Sequence, residues 1–270
     1  MTYGSQSPWI ELYAALHERG AADAYTGVLE PWVGQHPDER GWLSDFSRRT
    51  ELSWDEATDE DLCRLYAAFR VTSTLLLRFQ QGRADGTHYP GPDVSGEGYQ
   101  LFHEALGFHV PTVRAFHPFY HEIVGVTQAG AAAAPIEVVE RRWPALMLGG
   151  LMYCRAGCVV AGGSDHVVKD VAERSTLYWT FRRKDRPCND QSHGWGSNSQ
   201  WRTQLRRDYR TSSGFHYNVD AKEDLSLAGD TVGGLSLEAM RELVRNRCMI
   251  RTAIDDSDLY PYPYSDTEAD

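Results

Sequence analysis

Apolar positions recur at three- and four-residue spacing along much of the chain, the pattern of helices with one buried face. In "SPWIELYAALHERG", Ile10, Leu12, Tyr13 and Leu16 form the stripe. Ser7 stands as N-cap, Pro8 at the first helical position and Gly20 past the end. "DERGWLSDFSRR" repeats the pattern more weakly. From Ser53 to Gln81, Leu62, Leu65, Tyr66, Phe69, Leu76 and Phe79 predict a long helix behind acidic residues suited to its positive end. Residues 82–98, rich in Gly and Pro, read as loop.

Beyond the loop, Tyr99 to Gly107, Val113 to Val126 and Ile136 to Cys154 read as three more helices, kinked or ended by Pro118 and Pro144. The alanines at 131–134 read as a connection. "SDHVVKDVAERS" predicts a short helix capped by Ser164, and "SLEAMRELVRNRCMI" a longer one capped by Ser236. "TLYWTF" is the one strand candidate. The expectation is a mainly α, single-domain protein over residues 1–270, with an acidic Tyr/Pro-rich tail at 255–270.

Composition narrows the classes. A chain of 270 residues with 41% hydrophobic residues can bury its own core. A net charge of -11 argues against a nucleic-acid partner, which needs clustered Lys and Arg. The five cysteines form no regular framework and no signal peptide opens the chain, so free thiols in a reducing cytoplasm are expected. The nearest apolar run, "WPALMLGGLMYC", is well short of the roughly 20 residues of a membrane span. No phosphate-binding loop, GxGxxG, GxSxG or HExxH is present.

The histidines therefore carry the candidate chemistry. His117 and His121 share a helix face if "FHPFYHE" is helical, and with Glu122 they would need a further ligand to hold a metal; hydrogen-bonded structural histidines explain them as well. Cys154 and Cys158 read as small buried apolar residues. His88 lies in "GTHYPG", where small residues admit close approach of a ligand. His193 lies in "CNDQSHGWGSNSQWRTQLRRDY", with almost no aliphatic residue. Gly194 and Gly196 leave room beside the backbone, Trp195 and Trp201 offer ring faces, and Arg202, Arg206 and Arg207 offer guanidiniums. One histidine ligand, aromatic walls and basic anchors suit a haem with two propionates, an aromatic carboxylate, or a loop with a hydrogen-bonded histidine.

"NDQSHGWGSNSQWRTQLRRDY", with "FHYNVD", "HYPGP" and "HPFYHEIV", resembles the bacterial haem-dependent L-tyrosine hydroxylases. These are histidine-ligated haem-dependent aromatic oxygenases, distantly related to tryptophan 2,3-dioxygenase. The resemblance runs from about residue 55 onward, and "HGWGSNSQW" is its most specific part. It implies a helical haem protein of the dioxygenase fold, with His193 on the iron and His88 on the open side. Some members attach haem through a cysteine four residues after the ligand; here that position is Ser197, which implies non-covalent haem b. The implied reaction is hydroxylation of L-tyrosine ortho to its phenol with hydrogen peroxide, or dioxygen and a reductant. The product would be 3,4-dihydroxy-L-phenylalanine, in antibiotic biosynthesis. Candidates for the amino-acid end are Ser199, Arg202, Ser213, Tyr217 and Asn218, and for the cofactor Trp195, Trp201 and Arg206. Alternatives are a related haem oxygenase acting on another tyrosine or indole derivative, and a haem-binding sensor. Homodimerisation through the tail is the expected assembly, and no membrane partner is implied.

Overall fold

The computed structural model describes residues 7–18, 23–82, 90–190, 192, 201–254 and 259–270. It is 38% helical and 22% strand, with several multi-stranded sheets. The expected mainly α architecture of the dioxygenase type is therefore corrected to a mixed α and β fold. Two compact units form from interleaved pieces of chain: Met1–His109, Leu146–Gly150 and Trp179–Leu205 in unit 1, and Val110–Ala145, Leu151–Tyr178 and Arg206–Asp270 in unit 2.

Unit 1 is helical: α1 (Pro8–Glu18), a π-helical turn (Tyr25–Leu29), α2 (Glu30–Gln35), α3 (Pro37–Leu52), α4 (Asp59–Leu76) and α5 (Gly96–Ala105). α4 is its axis. Thr58 and Asp61 form a reciprocal capping box at its start, and every residue from Leu65 to Leu76 is buried. A helix apolar on nearly all sides belongs at the centre of a helical unit. Trp9, Leu12 and Leu16 of α1, Leu43 and Phe46 of α3, and Tyr99 and Phe102 of α5 complete this core. The expected helix from Ser53 to Gln81 is thus α4 with 3-10 turns at Trp54–Glu56 and Leu77–Phe79. Ser7 caps α1 through its carbonyl, which accepts from Ile10 and Glu11.

Among the described residues, unit 2 holds two larger sheets and a short antiparallel pair, Thr231–Val232 with Leu235–Ser236. In the first, β1 (His121–Gln128) runs parallel to β5 (Ala156–Gly162), and β2 (Glu137–Trp143) flanks β5 antiparallel on its other side. Ile123, Val126, Cys158 and Val160 pack there with Ala172 of α6 (Lys169–Arg174), Cys248 and Ile250. Gly157 is required: a Cβ on it would meet the Trp143 ring at 2.4 Å. β3 (Leu146–Leu148) is a short strand of unit 1, where Met147 bridges His109. To the second sheet unit 2 contributes β4 (Leu151–Cys154), β6 (Tyr209–Thr211), β7 (Gly214–Tyr217), β8 (Glu223–Asp224) and β9 (Tyr264–Glu268), in the order β8-β9-β7-β6-β4. α7 (Leu237–Asn246) begins at Ser236, whose hydroxyl accepts from the Ala239 N–H as its sequence predicts.

Two expected helices are corrected to strands. Residues 113–126 and 136–154 contribute β1 to β4. "HEIVGVTQ" and "EVVERRW" are rich in β-branched residues, which sit better on a pleated surface than against a helical turn. The helix expected after Ser164 begins at Lys169, with Val168 at its N-cap and no side-chain cap bond. The strand candidate "TLYWTF" is a strand only at Leu177–Tyr178. The acidic tail supplies β9; its residues 255–258 lie outside the described ones.

Candidate functional site

His88, His193, Trp195 and Ser199 lie outside the described residues. The residues flanking the histidine-bearing stretch are described, and on both sides they are fastened to one face of α4. Ahead of it, Asp190 Oδ1 accepts from the backbone N–H and hydroxyl of Ser192, at 3.0 and 2.7 Å. Asp190 Oδ2 accepts the Tyr66 hydroxyl at 2.5 Å, inside a buried environment. Burial first, and then the Asp190 charge, push the Tyr66 phenol well above its ordinary range, so it stays a neutral donor.

Behind the stretch, the Cys63 thiol donates to the Arg202 carbonyl at 3.1 Å and the Leu205 N–H to the Leu62 carbonyl at 3.0 Å. Trp201 lies against Arg70, whose guanidinium carbon is 4.4 Å from that ring centroid, 3.7 Å from Phe181 and 5.5 Å from Tyr13. Tyr13 meets Trp201 edge-on at 5.2 Å. Leu62, Cys63, Tyr66 and Arg70 are spaced as neighbours on one helical face, so α4 presents a single surface to both ends of the stretch.

The cradle is cationic as well as aromatic. His17 stacks obliquely on Tyr13 at 4.4 Å, and burial, then Arg182, then Arg70 hold its pKa below the ordinary histidine value. Arg182 lies 5.2 Å from the Phe181 ring, and its buried Nη1 has no hydrogen-bond partner among the described residues. Guanidiniums beside ring faces suit a flat group with carboxylates at its edge. On that observation the residues present fit a haem with propionates. Sequence reasoning singled out Trp201 but missed Tyr13, Tyr66, Arg70 and Phe181, since no local motif announces which helix a loop will meet.

The remaining predicted residues fall elsewhere. Arg202 is exposed in unit 1. Arg206 belongs to unit 2 and is half-buried; burial lowers its pKa, and its Nε has no partner among the described residues. Ser213 is exposed in the β6–β7 turn, bonded to Thr211 at 2.8 Å. The buried Tyr217 hydroxyl donates to Glu268 at 2.8 Å, and Asn218 Nδ2 donates to the carbonyls of Tyr262 and Tyr264. Those two tie β7 to β9.

His117 and His121 are not on a helix. His121 Nδ1 meets the His117 backbone, and its pKa is pushed down to about 4, by burial above all. Among the described residues no three His, Cys, Asp or Glu are grouped to hold a metal ion. A haem with one axial histidine needs no such group. Among the described residues no helix is long and apolar enough to cross a membrane. Comparison with protein families, curated proteins and solved structures finds no match.

Proposed function

We propose that this protein binds haem b non-covalently and hydroxylates L-tyrosine ortho to the phenol, giving 3,4-dihydroxy-L-phenylalanine from hydrogen peroxide, or from dioxygen and a reductant. The observation that carries the proposal is the Arg70–Phe181–Trp201 cradle at the exit of the "HGWGSNSQW" stretch. Motif and cradle support the reading independently of the fold, which is not the helical one the resemblance implied.

When bound, haem supplies the redox chemistry that transfers an oxygen atom. The chain supplies the rest. His193 would hold the iron, and Arg70 and Arg182 would take the propionates. His88 holds or accepts the phenol proton, work suited to an imidazole titrating near neutrality. A partner for that hydroxyl also rejects phenylalanine, whose binding would leave a polar group unpaired. Ser199 and Arg202 are the candidates for the amino-acid end.

The deciding experiment is an absorption spectrum of protein expressed with haem precursor, as wild type and as His193→Ala. A sharp Soret band lost or displaced in the variant supports the axial role; no band in the wild type ends the haem reading. Arg70→Gln should bind haem about tenfold more weakly, the loss of roughly one charge-assisted bond. Tyrosine and peroxide added to the loaded protein should give the catechol. A Soret band without catechol would favour a sensor.

A further inference from the structure

Unit 2 concentrates more positive than negative charge at one buried point. Arg155 links β4 to β5 and is 4% exposed; Asp208, just before β6, is 3% exposed; Arg247, just after α7, is 8% exposed. Asp208 Oδ2 accepts from Nη2 of Arg155 at 2.9 Å and from Nη2 of Arg247 at 2.8 Å. Its Oδ1 accepts the Asn218 backbone N–H at 2.8 Å. Two guanidiniums thus share one carboxylate.

Arg155 is the group left over. Its Nε and Nη1 are buried and have no hydrogen-bond partner among the described residues. Three carboxylates of unit 2 are already engaged. Glu268 takes the Tyr217 hydroxyl and Arg245, Asp266 takes Arg245 and Arg241, and Asp220 takes Arg207. His117 and His121 feel the Arg155 charge, but they are held neutral chiefly by burial and offer no negative charge. A guanidinium does not shed its proton to escape such a site, and an uncompensated buried cation is costly.

We propose that unit 2 contains a buried site for a small monovalent anion, of halide or formate size, with Arg155 as its donor. The anion would cancel the surplus charge and accept an N–H that Asp208 leaves over. The proposal is independent of the haem reading.

Thermal unfolding of the full chain tests it, at constant ionic strength, as gluconate is replaced by chloride or by formate. Gluconate, a bulky organic anion, serves as reference. Wild type should show a saturable rise in Tm of roughly 3–6 °C at ten times Kd. A response to chloride alone assigns a halide, to formate alone a carboxylate, and to both any small monoanion. The rise should vanish in Arg155→Met. Equal Tm values in all three salts, or a rise retained in Arg155→Met, overturn the proposal. Should that variant fail to fold, wild-type crystals grown in bromide and in formate decide it. A bromide anomalous peak or formate density in contact with the Arg155 guanidinium supports the site, and neither there overturns it.

Discussion

A single hydroxyl fixes the approach to the histidine-bearing stretch. Asp190 is buried, and Tyr66 is its donor across a long sequence separation. Tyr66→Phe keeps the ring and removes the donor, leaving one carboxylate oxygen without its bond. The expected loss is about 1–3 kcal/mol, read as a lower urea midpoint at unchanged slope. No local pattern announced this pair. The aspartate and serine were visible in the quoted stretch, but Tyr66 looked like one more apolar position on a long helix. Arg70 was hidden for the same reason: a cation in an apolar stripe acquires meaning only when Phe181 and Trp201 arrive beside it.

Among the elements, α4 was legible because both its stripe and its acidic start are local features. Its capping box adds a specific expectation. Thr58→Ala should cost about 1 kcal/mol, a fall in Tm of roughly 2–4 °C. The loss should be clear even though Asp61 keeps Trp42 and Arg49 as partners, because the Asp61 N–H loses its acceptor. Residues 113–126 were misread because aromatic and aliphatic spacing imitated a helix. Tertiary context decided otherwise: Val126 and Ile123 gain partners from β5 that no neighbour in sequence supplies. α7 was legible through Ser236, and β9 was not, since "YSDTE" has little strand character until Asp266 is buried against Arg245.

For the whole molecule, two buried histidines set an acid limit. His103, bonded to Thr72 and to the Tyr99 carbonyl, and His121 are both pushed down to about 4, chiefly by burial. The unfolded chain, near 6.5, binds protons that the folded one refuses. Their contribution is therefore complete above about pH 6.5 and lost as the pH falls toward about 4. Urea midpoints between pH 7 and pH 4 should fall accordingly, and His103→Gln should flatten that slope by up to one proton.

The order of the strands bears on how the protein is made. β9 does not lie at a sheet edge; it is inserted between β8 and β7, parallel to the first and antiparallel to the second. Unit 1 likewise waits for Trp179–Leu205 before its own last piece is present. During synthesis, then, the helical pieces emerge first and must persist without the segments that finish them. The second sheet cannot close until residues 264–268 have left the ribosome. A nascent chain stalled before that point would expose the edges of β7 and β8, a template for pairing with other chains.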